Sequence, residues 1–300
     1  MTLAIGLGMS GESKTIVLIH GLWMTPTSWN RFREFYEQRG YRVLAPAWPR
    51  MQGTLEELRR NPSKLAGLGL LEITEHYEKI VRSLDERPIL IGHSMGGLIV
   101  QLLLDRGLGA AGVSINGTAP KGIYRLPLSA IKAANPVLSN PFNFWRCVML
   151  TFEQFRYAFA NNMSAHDAKA IYEREVVPGP GRPIFQAAFA NFTPMAATDV
   201  NHSKCDRAPL LLIAGTEDLL VPPILNRINY NLYRFSAATT EYKEFTNRSH
   251  LIIAQKGWEE VAEFALSWAV PQRSVTPVRE TPPETGNFMH LRHALSRHDS

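Results

Sequence analysis

The chain has 300 residues, 45% hydrophobic and 20% charged, a balance that suits one large α/β domain or two modest ones with a sizeable core. Its net charge of +5 and pI near 9.2 come from dispersed Lys and Arg residues, not from a dense basic run, so no nucleic-acid partner is expected. No apolar run approaches the roughly 18 residues that span a bilayer, and no membrane partner is expected either.

The first eleven residues have no basic start of the kind a signal peptide carries. Cys147 and Cys205 are too few for a disulfide framework and lack metal-type spacing. Two reduced thiols in a cytoplasmic protein are therefore expected. A homo-oligomer is compatible with the sequence, but nothing in it points to one.

In chain order, an extension over 1–13 precedes the first buried run, Thr15-Ile16-Val17-Leu18-Ile19, which ends at His20-Gly21. A helical pattern covers Ser28 to Arg39, a strand candidate Tyr41 to Ala45, and a second helix Ile73 to Leu84. Next come the run Pro88-Ile89-Leu90-Ile91, a helix from Met95 to Asp105 and a strand candidate Ala111 to Ile115. Late in the chain lie the run Pro209 to Ala214, a strand-like run Glu241 to Phe245 and a helix from Gly257 to Trp268. Continuous β-branched and Leu runs suit strands covered on both faces. Their alternation with helices predicts an α/β fold with a doubly wound, mostly parallel sheet.

That alternation stops between about Gly117 and Asp206. The segment carries helical patches, turn signals such as Pro178-Gly179-Pro180-Gly181, and many aromatics, but no convincing buried strand. It reads as a helical insertion over 118–206, dividing a core of 14–117 and 207–270. The tail, 271–300, is Pro-rich in its first half and predicts a flexible segment, with a short helix from Met289 to Arg297.

The strongest chemical signal is Gly92-His93-Ser94-Met95-Gly96, directly between a buried run and a helical one. A serine on a sharp strand-to-helix turn projects its hydroxyl above the sheet, at the positive end of the helix dipole. A serine hydroxyl needs a base, and the base needs an orienting acid. Asp218 follows the late strand in Gly215-Thr216-Glu217-Asp218, with Glu217 as the neighbouring alternative. His250, in Arg248-Ser249-His250-Leu251, is the one histidine both late in the chain and on a strand-to-helix loop. Ser94, Asp218 and His250 therefore stand in the chain order of a serine triad.

Stabilising an oxyanion takes two preorganised donors. The backbone N–H of Met95 is one candidate; the other lies after His20-Gly21, at Leu22 or, less simply, Trp23. Trp23, Trp48, Phe142, Trp145 and Phe189 are candidate substrate contacts. No metal and no organic cofactor is expected.

Together these residues resemble the α/β-hydrolase superfamily, from about Lys14 to Val270. The resemblance implies Ser94 as nucleophile, His250 as general base, Asp218 as orienting acid, Leu22 and Met95 as oxyanion donors, and 118–206 as a lid over the sheet. It implies a serine esterase or lipase-like enzyme acting on a small-molecule acyl substrate: an ester, lactone or thioester with an apolar part. Acyl transfer, carbon–carbon hydrolysis, perhydrolysis and lyase or cyclase chemistry use the same triad, and a receptor can use the same fold. Where many members carry an acidic, Gly-rich loop, this chain has Ala45-Pro46-Ala47-Trp48-Pro49-Arg50-Met51. Serine at the elbow separates it from branches with an aspartate nucleophile.

Overall fold

The structure is a computed structural model and describes residues 14–272. The extension over 1–13 and the helix expected from Met289 to Arg297 lie outside the described residues.

Six buried or half-buried strands form one parallel sheet. They are β1 (Thr15–Ile19), β2 (Arg42–Leu44), β3 (Ile89–His93), β4 (Ala111–Ile115), and, after the insertion, β7 (Leu210–Gly215) and β8 (Thr240–Phe245). The order across the sheet is β2-β1-β3-β4-β7-β8. β1, β3, β4 and β7 are buried on both faces, which is why they read as unbroken apolar runs. β8 alternates exposed and part-buried residues, as an edge strand does, and only Phe245 at its end is buried.

Helices cover both faces. α1 (Asn30–Glu37) follows a 3₁₀ turn at Pro26–Trp29, and α10 (Trp258–Gln272) joins it to close one apolar layer with Trp29, Phe32 and Ile252. α3 (Leu70–Arg82) and α4 (Met95–Asp105) lie on the other layer with Leu98, Tyr77 and Leu103. Two helices are not anticipated by the sequence reading. α2 (Leu55–Arg60) is short and rests on a capping box between Thr54 and Glu57. α9 (Pro223–Leu232) starts with Pro at its first position and turns Leu225, Ile228 and Leu232 toward one apolar cluster.

Between β4 and β7 the chain forms α5 (Leu128–Leu138), α6 (Phe152–Phe159), α7 (Ala165–Glu175) and α8 (Arg182–Ala188). A two-residue antiparallel pair, β5 (Cys147–Val148) with β6 (Gly179–Pro180), is the sole sheet element among the described residues of this segment. The insertion is bonded to the core at several points. Arg59 donates to the carbonyls of Tyr172, Glu173 and Val176 at the C-terminus of α7. Leu70 N–H donates to Gln186, and Val177 N–H to the Trp23 carbonyl. Cys147 and Cys205 are unpaired thiols. No helix among the described residues is long and apolar enough to cross a membrane.

One glycine is essential to the packing of α4 on the sheet. A Cβ built on Gly96 would stand 2.0 Å from the Ile19 carbonyl oxygen, a backbone atom that cannot swing aside. Gly96→Ala is therefore expected to cost about 3 kcal/mol, the upper part of the overpacking range. A urea titration should show this as a lower midpoint with an unchanged m-value.

Candidate active site

β3 ends at His93, and α4 starts at Met95, so the chain changes direction at the single residue Ser94. Its backbone sits at φ 57°, ψ −121°, outside the ordinary L-residue regions. Such strain persists only where the surroundings over-determine it. Here the Ser94 N–H donates to the Ile115 carbonyl at 3.0 Å, and the Ser94 carbonyl accepts from Gly97 at 2.9 Å and Thr118 at 3.0 Å. The N-terminus of α4, eleven residues long, points its free N–H groups at the same spot.

Asp218 and His250 meet in the interior. His250 Nδ1 donates to Asp218 Oδ2 at 2.7 Å, with both side chains fully buried. The second carboxylate oxygen accepts from the N–H groups of Leu220 and Val221 at 2.9 and 2.8 Å. Burial raises the Asp218 pKa, and His250 and those two N–H groups pull against it. Of the two acids the sequence left open, Asp218 makes the contact. Glu217 instead accepts from Asn162 at the surface. His250 Nε2 is buried without a hydrogen-bond partner, which leaves it free to receive a proton.

Residues behind the histidine hold its loop. The His250 carbonyl accepts from His93 Nε2 at 2.7 Å and from Asn116 Nδ2 at 3.1 Å. Asn116 also reaches the Ser249 carbonyl and accepts from Gly215 N–H, so one side chain ties three loops. It stands at φ 46° directly after β4, a left-handed position that Asn tolerates better than most residues. The sequence reading gave it no role; the signal was a polar residue immediately after a buried strand. His93 stays neutral, its pKa driven down by burial and then by its neighbour His250.

The loop after β1 lies against Ser94. A Cβ on Gly21 would be 2.8 Å from the Ser94 Cβ and 3.4 Å from Oγ, so only glycine admits this approach. His20 sets that loop. Its Nδ1 is 2.9 Å from the Gly21 carbonyl oxygen, which only accepts, so Nδ1 carries the proton. Nε2 is then an acceptor, 3.3 Å from the Trp48 N–H. Both bonds suit a neutral ring, and burial pushes the His20 pKa down to about 4. The bond fixes the Gly21–Leu22 peptide plane. In a trans peptide, that also fixes the direction of the Leu22 N–H. Leu22 N–H donates to no backbone acceptor among the described residues, and Met95 N–H opens α4 without an intrahelical acceptor.

The aromatic candidates divide. Trp23 is buried, its indole N–H donating to the Val148 carbonyl and its ring edge-on to Phe159. Trp48 is buried and stacks on His20 at 5.1 Å, so it braces the loop after β1. Phe142, Trp145 and Phe189 stand more than half exposed on the outside of the insertion and touch neither Ser94 nor His250. They are not the aromatics the geometry places at the histidine. That position belongs to Phe159, whose ring meets His250 edge-on at 4.8 Å. Composition revealed that the segment was aromatic, but not which face of each short helix turned inward. Among the described residues, no group of three or more His, Cys, Asp or Glu side chains is placed to hold a metal ion.

The profile of the alpha/beta hydrolase family matches residues 16–264, and the chain belongs to that family. A search of curated protein sequences finds no match. Among solved structures, it is similar to a monoacylglycerol lipase from Paleococcus ferrophilus at 20% identity and a TM-score of 0.58, over 86% of this chain and 94% of the other. It is also similar to polyneuridine aldehyde esterase (19% identity, TM-score 0.60, 86% and 99% covered). A third is an extracellular alpha/beta-hydrolase from a Paenibacillus species (19% identity, TM-score 0.59, 84% and 98% covered). At these identities the likeness is one of fold.

The neutral His20 predicts an acid-side loss of stability. Its folded pKa lies below the unfolded value near 6.5, so the unfolded chain takes up the proton first as pH falls. The stability is fully present above pH 6.5 and drains away as pH drops toward 4, by about 3 kcal/mol for this group. His20→Gln should remove that share of the slope in urea titrations run across the same window.

Proposed function

We propose that the protein hydrolyses a carboxylic ester, or a lactone or thioester, with an apolar part, through Ser94, His250 and Asp218. The observation that carries this reading is the buried 2.7 Å bond from His250 Nδ1 to Asp218, with Nε2 left unpartnered. In that state the imidazole is oriented, its tautomer is set, and its second nitrogen is a base.

The Ser94 hydroxyl gives its proton to His250 Nε2 as Oγ attacks the carbonyl carbon. The carbonyl oxygen becomes an oxyanion that accepts from the N–H groups of Leu22 and Met95, at the positive end of α4. Collapse breaks the ester C–O bond, and the proton on His250 leaves with the alcohol. Water then attacks the acyl-enzyme by the same route.

Ser94, Leu22, Trp23, Met95, Phe159 and His250 are all buried. The insertion brings Phe159 against His250, and we read 118–206 as the cap over the site and 14–117 with 207–270 as the catalytic core. The relatives named as a lipase and as esterases are consistent with ester chemistry. Two unpaired thiols fit a reducing, cytoplasmic setting.

Ser94→Ala should abolish turnover of p-nitrophenyl butyrate and labelling by a fluorophosphonate probe, and intact labelling in that variant would refute the assignment. Asp218→Asn should fold and keep the probe site but lose on the order of 10⁴ in kcat, because the histidine loses its tautomer and its support. A similar rate in the Asn variant would remove Asp218 from the triad.

A further inference from the structure

Most of the large apolar side chains left exposed among the described residues sit on the insertion. Tyr124, Leu126 and Leu128, at the entry to α5, are 69–83% exposed. Phe142 and Trp145 occupy the 3₁₀ turn after it, and Phe189 and Phe192 the end of α8 and the turn beyond. Met195 is 93% exposed. Aromatic side chains present roughly 150–250 Å² each, so the five aromatics alone show water on the order of 600 Å². That area matches the largest apolar patch of an ordinary monomer, which is often a functional one.

The segments that carry these positions are neighbours. Asn191 donates to the Ile123 carbonyl and accepts from Gly122 N–H, which ties the Tyr124 loop to the turn bearing Phe192. Lys121 donates to the Pro194 carbonyl, beside Met195. Phe185 lies 5.9 Å from Phe144 and stacks on Phe189 at 6.2 Å, joining the Phe142–Trp145 turn to α8.

The charge on these segments has one sign. No Asp or Glu occurs between Asp105 and Glu153 or between Glu175 and Asp199, whereas Lys121, Arg125, Lys132, Arg146 and Arg182 do. Arg125, Lys132 and Arg146 are exposed, and the Arg146 guanidinium lies over the Phe142 ring. Asp199 meets Lys121 at the rim.

We propose that this face of the insertion docks on an anionic lipid–water interface, Trp145, Tyr124 and the Phe side chains entering the acyl boundary and the cations meeting the headgroups. Interfacial proteins combine Trp, Tyr and Phe with Lys and Arg in this manner. The charge argues against the other occupants. A second copy would set these cations against themselves. The 273–300 segment carries Arg273, Arg279, Arg292 and Arg297 against Glu280, Glu284 and Asp299, so it brings no acidic excess to these cations. The proposal replaces the sequence-based expectation of no membrane partner, and it does not depend on the hydrolytic reading.

The test is co-sedimentation of the full chain with phosphatidylcholine vesicles, with and without about 30 mol % phosphatidylserine, at about 0.1 and 0.5 M salt. Binding should be at least about tenfold stronger on the anionic vesicles, weaken at the higher salt, and be accompanied by quenching of Trp145 fluorescence by brominated lipid. A triple variant, Tyr124→Ser, Leu128→Ser and Phe192→Ser, should lose about tenfold in binding while keeping the wild-type Tm and the wild-type rate on a soluble short ester. No binding to anionic vesicles, or equal binding by the triple variant, overturns the proposal. A dimer in solution that the same variant disrupts would assign the face to a second copy instead. A chain ending at residue 272 that binds only once shortened would assign it to the tail.

Discussion

Everything at the candidate site depends on one abrupt change of direction. β3 runs between β1 and β4 in the parallel sheet and must hand over to α4 through a single residue. A residue there can reach neither the strand nor the helix conformation, so Ser94 is forced to φ 57°. Two further constraints follow from the same turn. α4 must lie so close to β1 that Gly96 touches the Ile19 carbonyl, and the loop after β1 must pass so close to Ser94 that only glycine fits at 21. The loop's position is then inherited from the elbow.

The sheet was legible because its strands are buried on both faces. Thr15–Ile19, Ala111–Ile115 and Leu210–Gly215 show as uninterrupted apolar runs for that reason. The elbow and the Asp218–His250 pairing were legible because each follows a strand, where the chain emerges at one end of a parallel sheet. α2 and α9 escaped notice because a six-residue helix held by a capping box, or one opened by two prolines, carries little periodic signal. Asn116 and Phe159 escaped because their roles come from contacts between segments far apart in the chain. Asn116 bonds to loops beyond residue 214, and Phe159 meets His250 across 91 positions.

Buried histidines divide the electrostatic work. Three imidazoles lie in the interior near one another's loops, and two of them use their hydrogen bonds on backbone carbonyls. Those two are held neutral by burial, His20 at the loop after β1 and His93 behind His250. The third keeps one nitrogen on a carboxylate and the other free. The same side chain is thus bonded to a backbone carbonyl at two positions and to a carboxylate, with its second nitrogen unpartnered, at one.

The turn over residues 159–162 makes the insertion inseparable from the core in a practical sense. The Phe159 carbonyl accepts from Leu251 N–H at 2.9 Å, Asn161 donates to the Glu217 carbonyl at 3.1 Å, and Asn162 donates to the Asn247 carbonyl at 3.0 Å. Those acceptors and that donor sit on the loops that carry Asp218 and His250. An exchange of this insertion for another would therefore transplant, along with any new surface, part of the scaffold that holds Asp218 and His250. Modularity ends at that turn: a graft that discards 159–162 removes the bonds that hold the loops of Asp218 and His250.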